Sequence, residues 1–164
     1  MQCELILAVN PGSTSTKIAV FEGAKERFLK NIKHSFNDLQ NFKVITDQYE
    51  FRKNIILGEL ESAGFKLRQF AVIVGCGGLV KPIISGVYEV NDALLNDLRI
   101  GVQGQHASNL GGLIAHDIAQ SLPSAKAYIA DPVVVDELEP IARISGHPLF
   151  ERTSIFHALN QKAI

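Results

Sequence analysis

The sequence predicts an α/β fold, a mixed sheet that opens with an N-terminal β-hairpin and is flanked by helices. Three observations carry this. The apolar run Leu5-Ile6-Leu7-Ala8-Val9 meets a polar turn, and a second run follows in which Ile18 and Val20 share one face and Ala19 and Phe21 the other. Two short unbroken apolar runs, 70–74 and 127–130, have the length of buried strands. Between them lie stretches with helical spacing and recognisable start and stop residues.

Taken in order, 28–36 mixes apolar and polar residues as a third, edge strand, with Lys30 and Lys33 discouraging stray pairing. From Thr46 a helix is predicted, with Thr46 as cap, Asp47 in the first turn, Phe51, Ile55, Ile56 and Leu60 inward and Gly64 as stop; its charged residues form a solvated face. The run 70–74 suits a strand in a sheet covered on both faces, and it delivers Cys76-Gly77-Gly78 to its C-terminal end, the edge where open α/β sheets place ligands. A short strand, 87–90, precedes a helix capped by Asn91 and ended by Gly101. Gly104 to Asn109 leads into a second helix, with Leu110, Leu113, Ile114, Ile118 and Leu122 as core and Pro123 as stop. The strand 127–130 brings Asp131 to the ligand edge, Asp136 and Glu137 suit a helix start, and Pro140 interrupts a short helical piece. A last helix begins at Thr153 or Ser154 and reaches Ile164 without termination chemistry.

A length of 164 residues, 46% hydrophobic, suffices for one domain with a core. Sixteen basic against seventeen acidic residues give a net charge of -1, so neither a nucleic-acid nor a membrane partner is expected, and any anion site is local. Cys3 and Cys76 match neither a disulfide framework nor a zinc motif, which fits a reduced, cytoplasmic setting. No apolar run approaches the roughly 18 residues of a membrane span.

The hairpin tip has the composition of an anion cradle. Gly12 lets the backbone approach, Ser13, Thr14, Ser15 and Thr16 offer hydroxyls beside exposed N–H groups, and Lys17 adds charge. A nucleotide P-loop fails here, because no glycine precedes Lys17 and strand periodicity follows. An ordinary Ser/Thr-rich turn has the same composition. Asp131 at a strand end can hold Mg²⁺ or organise a phosphoryl group, or serve as an Asx-Pro turn residue. His106 and Asn109 frame a helix N-terminus suited to anions; a capping or solvated histidine fits the same place.

Asn10-Pro11-Gly12-Ser13-Thr14-Ser15-Thr16-Lys17 after a hydrophobic strand resembles the N-terminal signature of the acetate and butyrate kinase family. Val102 to Gly112, Asp131-Pro132-Val133-Val134-Val135-Asp136-Glu137 and Ser154-Ile155-Phe156-His157-Ala158-Leu159-Asn160-Gln161-Lys162 resemble the butyrate kinase branch, so the likeness covers nearly the whole chain. It implies a ribonuclease H-like lobe of the actin, Hsp70 and sugar kinase superfamily. Residues 1–153 would form an acyl-substrate and phosphate lobe, and 154–164 would start a helix leading to a nucleotide-binding lobe that this chain lacks.

The implied reaction is reversible transfer of the ATP γ-phosphoryl group to butyrate or a related short-chain carboxylate, giving an acyl phosphate, with Mg²⁺ as cofactor. By the resemblance Asn10 and Asp131 are catalytic and hold the metal. Gly12, Ser13, Thr14, Ser15 and Lys17 bind phosphate, while Cys76, Gly77, Gly78, His106, Asn109 and His157 lie at the acyl substrate. A helix-packing histidine suits position 157 equally. Family members carry an arginine in the turn where this chain reads Gly75-Cys76-Gly77-Gly78, and acetate kinases a second histidine about where Gln161 stands. These departures leave open a second reading, a non-catalytic lobe that acts through association. Apolar surface meant for a missing lobe predicts a homo-oligomer.

Overall fold

The computed structural model describes residues 4–156 and 158–164. Six strands form one mixed sheet: β1 (Leu5–Pro11), β2 (Ser15–Glu22), β3 (Lys25–Lys33), β4 (Phe70–Cys76), β5 (Val87–Glu89) and β6 (Lys126–Ala130), in the order β3-β2-β1-β4-β6-β5. β1, β2 and β3 form an antiparallel meander, β4 and β6 run parallel to β1, and β5 closes the far edge antiparallel to β6. The hairpin, the lysine-bearing edge strand and both buried runs are therefore where the sequence puts them. The edge strand starts earlier than the apolar pattern suggests and ends before Phe36.

Strand parity sorts the side chains. Leu5, Leu7 and Val9, with Ile73 and Gly75, Ala127 and Ile129, and Ile18 and Val20, point to one buried face. After β3 comes the single turn α1 (Phe36–Leu39); helix α4 (Asn109–Gln120) lies over β1, β4 and β6 on that face, α2 (Tyr49–Ser62) sends Ile56 and Leu60 into the same core, and α3 (Asp92–Ile100) packs against α4. Ile6, Ala8, Val72, Val74 and Tyr128 point to the other face and stay half-buried. The expectation of helices on both sides is thus corrected: burial is one-sided, and unbroken apolar runs arise because a half-covered central strand still favours β-branched residues.

α4 comes unusually close to the sheet. A Cβ on Gly75 would lie 2.3 Å from the carbonyl carbon of Gly111 and one on Gly112 2.7 Å from Leu98, so glycine is required for helix and strand backbones to touch. α3 starts and stops as predicted, with Asn91 Oδ1 accepting from the Leu94 N–H and Gly101 at φ +65°.

Three boundaries differ. Residues Ile45–Gln48 form a 3-10 turn, so Thr46 is not a cap and α2 starts at Tyr49. Asp136 and Glu137 do not open a helix. Both Asp136 oxygens accept from the Arg143 guanidinium at 2.9 and 3.0 Å, and Glu137 accepts from Ser85 and from Lys162 across loops that sequence alone does not bring together. The last helix, α5 (Ala158–Lys162), begins later than Thr153 or Ser154 because Phe156 adopts φ +69°, outside the helical region. Among the described residues no helix is long and apolar enough to cross a membrane.

Candidate functional site

Sheet register builds the site. Val9 pairs with Gly75 and Cys76 with Ala130, so Asn10, Cys76 and Asp131 finish three adjacent parallel strands in one row at the carboxyl edge. At about 4.8 Å between neighbours, the strands bearing Asn10 and Asp131 are roughly 10 Å apart. Across the hairpin Asn10 pairs with Lys17, which pairs with Asn31, so these three polar residues share one sheet face. Lys17 is exposed, and among the described residues no carboxylate pairs with it.

The Gly12–Ser15 loop turns its carbonyls inward. The Gly12 and Ser15 carbonyls accept from Arg52 Nη1 at 2.8 and 3.0 Å and the Ser13 carbonyl accepts from Nη2 at 3.1 Å, while that of Thr14 accepts from the His34 N–H at 2.9 Å. Ser13 and Thr14 are exposed, and their amides donate to no group among the described residues. Successive N–H groups without an acceptor, on exposed residues, are the arrangement that binds anions.

Arg52 itself is 0% exposed. This corrects the reading of every charge on this helix as solvated: one helix position faces the loop rather than water. Its Nε and Nη2 donate to Gln48 Oε1 at 3.1 and 2.8 Å, and Nη1 also reaches Thr16 Oγ1 at 3.0 Å. Sequence reasoning missed it because only long-range contacts, 36 to 40 residues away, identify its role.

Thr16 Oγ1 lies 2.9 Å from Nε2 of His34, also buried. Burial first, then the Arg52 charge, lower the His34 pKa below its ordinary 6.5, against an opposing contribution from Asp38. The unfolded chain therefore takes up a proton that the fold resists, and stability rises with pH through that window. Thermal unfolding at constant ionic strength should show Tm rising from about pH 5.5 to about pH 7.5, with a flatter profile in His34→Gln; an unchanged profile would exclude His34 as its source.

On the other side of the row, Gly77 and Gly78 adopt φ +87° and +117°, a turn that only glycine takes without strain. A Cβ on Gly77 would sit 2.8 Å from Ser108 Cβ, so this turn rests directly on the α4 entry. There His106 Nδ1 accepts from the Ser108 N–H at 3.2 Å, which leaves the proton of the neutral ring on Nε2, and the ring meets Phe156 edge-on at 5.5 Å. Asn109 is fully buried. Its Oδ1 accepts from the Leu79 N–H at 2.9 Å and its Nδ2 donates to the Gly104 and Leu98 carbonyls at 3.0 and 3.3 Å, so its side chain braces the turn and is committed to main chain. Cys76 is half-buried, and burial pushes its thiol up, keeping it neutral near pH 7. Asp131 sits at φ +42°, with Oδ1 accepting from the Gly86 N–H and its own N–H donating to the Gly86 carbonyl, both at 2.9 Å. The expected role of His157 lies outside the described residues.

No family model matches the chain. Over 159 residues, 97% of this chain and 44% of each relative, it is 54% identical to butyrate kinase 1 and 55% identical to butyrate kinase 2 of Clostridium acetobutylicum. The chain thus spans less than half the length of these curated relatives. Its fold matches acetate kinase from Porphyromonas gingivalis with a TM-score of 0.62 at 10% identity, over 98% of this chain and 48% of that one. It also matches a propionate kinase from Francisella tularensis with a TM-score of 0.54 at 13% identity, over 98% and 44%. With more than half of the compared residues identical, the chain is a sequence relative of the butyrate kinases, carried on the fold of acetate and propionate kinases over the stretch it covers.

Proposed function

We propose that this chain forms the carboxylate- and phosphate-binding part of a carboxylate kinase, which moves the γ-phosphoryl group of ATP reversibly to butyrate or a related short-chain carboxylate. The observation that carries the reading is the row of Asn10, Cys76 and Asp131 at the carboxyl edge, continued after β1 by the unengaged amides of Ser13 and Thr14 and after β4 by the Gly77-Gly78 turn against the His106 entry. It offers anion donors on one side and a half-apolar turn with Phe156 on the other. In the transfer a carboxylate oxygen forms a bond to the γ-phosphorus as the bond to the ADP oxygen breaks, so no protein nucleophile is required. Lys17 and the loop amides oppose the charge of the phosphoryl oxygens, and His106 Nε2–H can donate to the acyl carboxylate. Residues beyond the stretch covered here would complete the nucleotide pocket.

Among the described residues no three His, Cys, Asp or Glu side chains gather into a metal cage. Asp131 would offer Mg²⁺ a carboxylate oxygen instead, with the Asn10 amide two strands away facing the ion's outer shell, since Mg²⁺ takes one or two protein oxygens and completes its coordination with water and substrate phosphates. Bound there, the ion would neutralise phosphate charge. Exposed Ile141, Ile144, Leu149 and Phe150 support self-association of the isolated chain.

The test is a chimera in which residues 4–156 replace the matching stretch of a butyrate kinase, assayed for ATP-dependent acyl hydroxamate formation with butyrate, propionate and acetate. Turnover that depends on the carboxylate is the expected result. One specific observation, the uncharged Cys76, favours the second reading of a non-catalytic lobe; a folded, ATP-binding chimera without turnover, whether or not arginine is restored at this position, would establish it.

A further inference from the structure

Arg52 presents a cost that the fold alone does not repay. It is a fully buried cation whose only compensation among the described residues is three main-chain carbonyls, one amide oxygen and one hydroxyl. Burial lowers its pKa to about 10, with no carboxylate among them to offset the loss of water. A buried ion without a counter-charge is rare unless paired. A methionine or leucine here would avoid the desolvation. Arg52 engages the loop through the carbonyls of Gly12, Ser13 and Ser15, whereas the amides of Ser13 and Thr14 in the same exposed loop donate to no group among the described residues. The buried charge and the unengaged amides therefore belong to one short loop.

We propose that Arg52 is a positioning residue of the phosphate loop, which holds the carbonyls of Gly12, Ser13 and Ser15 inward and supplies from beneath the positive charge that an anion on the unengaged amides completes. The inference rests on the phosphate-loop reading above and deepens it: the missing counter-ion of Arg52 is the phosphoryl group itself, across the loop backbone. Lys17, exposed and flexible, captures the anion, and Arg52 provides the fixed part of the field.

Gln48 makes this role separable from a structural one. Its Oε1 already accepts from Nε and Nη2 of Arg52, so Gln48→Glu keeps the shape and the acceptor while placing a counter-charge on the guanidinium. Gln48→Met removes the acceptor and adds no charge. The probe is inorganic phosphate at constant ionic strength, titrated into this chain and followed by the amide resonances of Ser13 and Thr14, with Tm measured in parallel. The wild-type resonances are expected to move saturably. Gln48→Glu should bind phosphate about tenfold more weakly with Tm unchanged or raised, and Gln48→Met should lower Tm with affinity within about threefold of wild type. Unaltered affinity in Gln48→Glu, or losses that follow Tm in both variants, overturns the role of Arg52 and leaves the loop reading standing. Wild-type resonances that do not respond overturn both.

Discussion

Arginine in place of Cys76 is expected to raise acyl hydroxamate formation by the chimera at least about tenfold, and up to about a thousandfold. The resemblance to carboxylate kinases implies an arginine in this turn, and the alternation along β4 turns the side chain at this position away from the core. Gly75 faces α4 and touches Gly111, so the next residue along the strand points the opposite way, to the half-buried face without a helix. A guanidinium from this position would therefore extend over the row that includes Asn10 and Asp131 rather than into the core. There its planar fork pairs the oxygens of a carboxylate or a transferring phosphoryl group, charge that a neutral thiol leaves unopposed. The gain should lie in kcat more than in KM, since charge shifts onto the transferring group as the bonds exchange. Equal rates for the Cys76→Arg chimera and its parent, at equal stability, would remove this turn from the chemistry.

The second large effect is expected at Asp131. Asparagine tolerates the left-handed backbone at φ +42° and its Oδ1 can still accept from the Gly86 N–H, so Asp131→Asn subtracts the charge and little else. Introduced into the Cys76→Arg chimera, it should lower turnover by about a hundred- to a thousandfold, while stability stays within about 0.5 kcal/mol. Raising Mg²⁺ should recover part of the loss if the carboxylate holds the ion. Asp131→Ala is the poorer probe, because alanine in this conformation adds strain to the loss of charge. Retained turnover in Asp131→Asn would return this residue to the role of an Asx turn.

What could be read directly from the chain was local. The hairpin, the runs at 70–74 and 127–130 and the Asn91 and Gly101 boundaries of α3 each depend on alternation, apolar length or one cap, and each is where those rules put it. The three-residue row at the carboxyl edge followed because parallel strands present their ends together. Contacts across distant sequence escaped. Arg52 is one charge among several on its helix, and only its place four residues before Ile56 and eight before Leu60 sets it apart from Lys53, which pairs with Glu50 and Asp117 near the surface. Asn109 stands with His106 at a glycine-rich helix entry suited to anions, yet Leu79, Leu98 and Gly104 engage its amide. Asp136 and Glu137 carry the composition of a helix start, but the arginine and the serine that take them lie in other loops.

The contact of Gly75 with Gly111 leaves no side-chain layer between β4 and α4. Packed side chains can change rotamer and absorb a displacement, whereas two backbones in contact cannot. Between them there is no compliant layer, so the Cys76 turn at the strand's end and the His106 turn at the helix's entry are coupled directly through main chain. On the function proposed above, an acid of different length would be fitted by walls outside this pair rather than by widening the gap between the two turns.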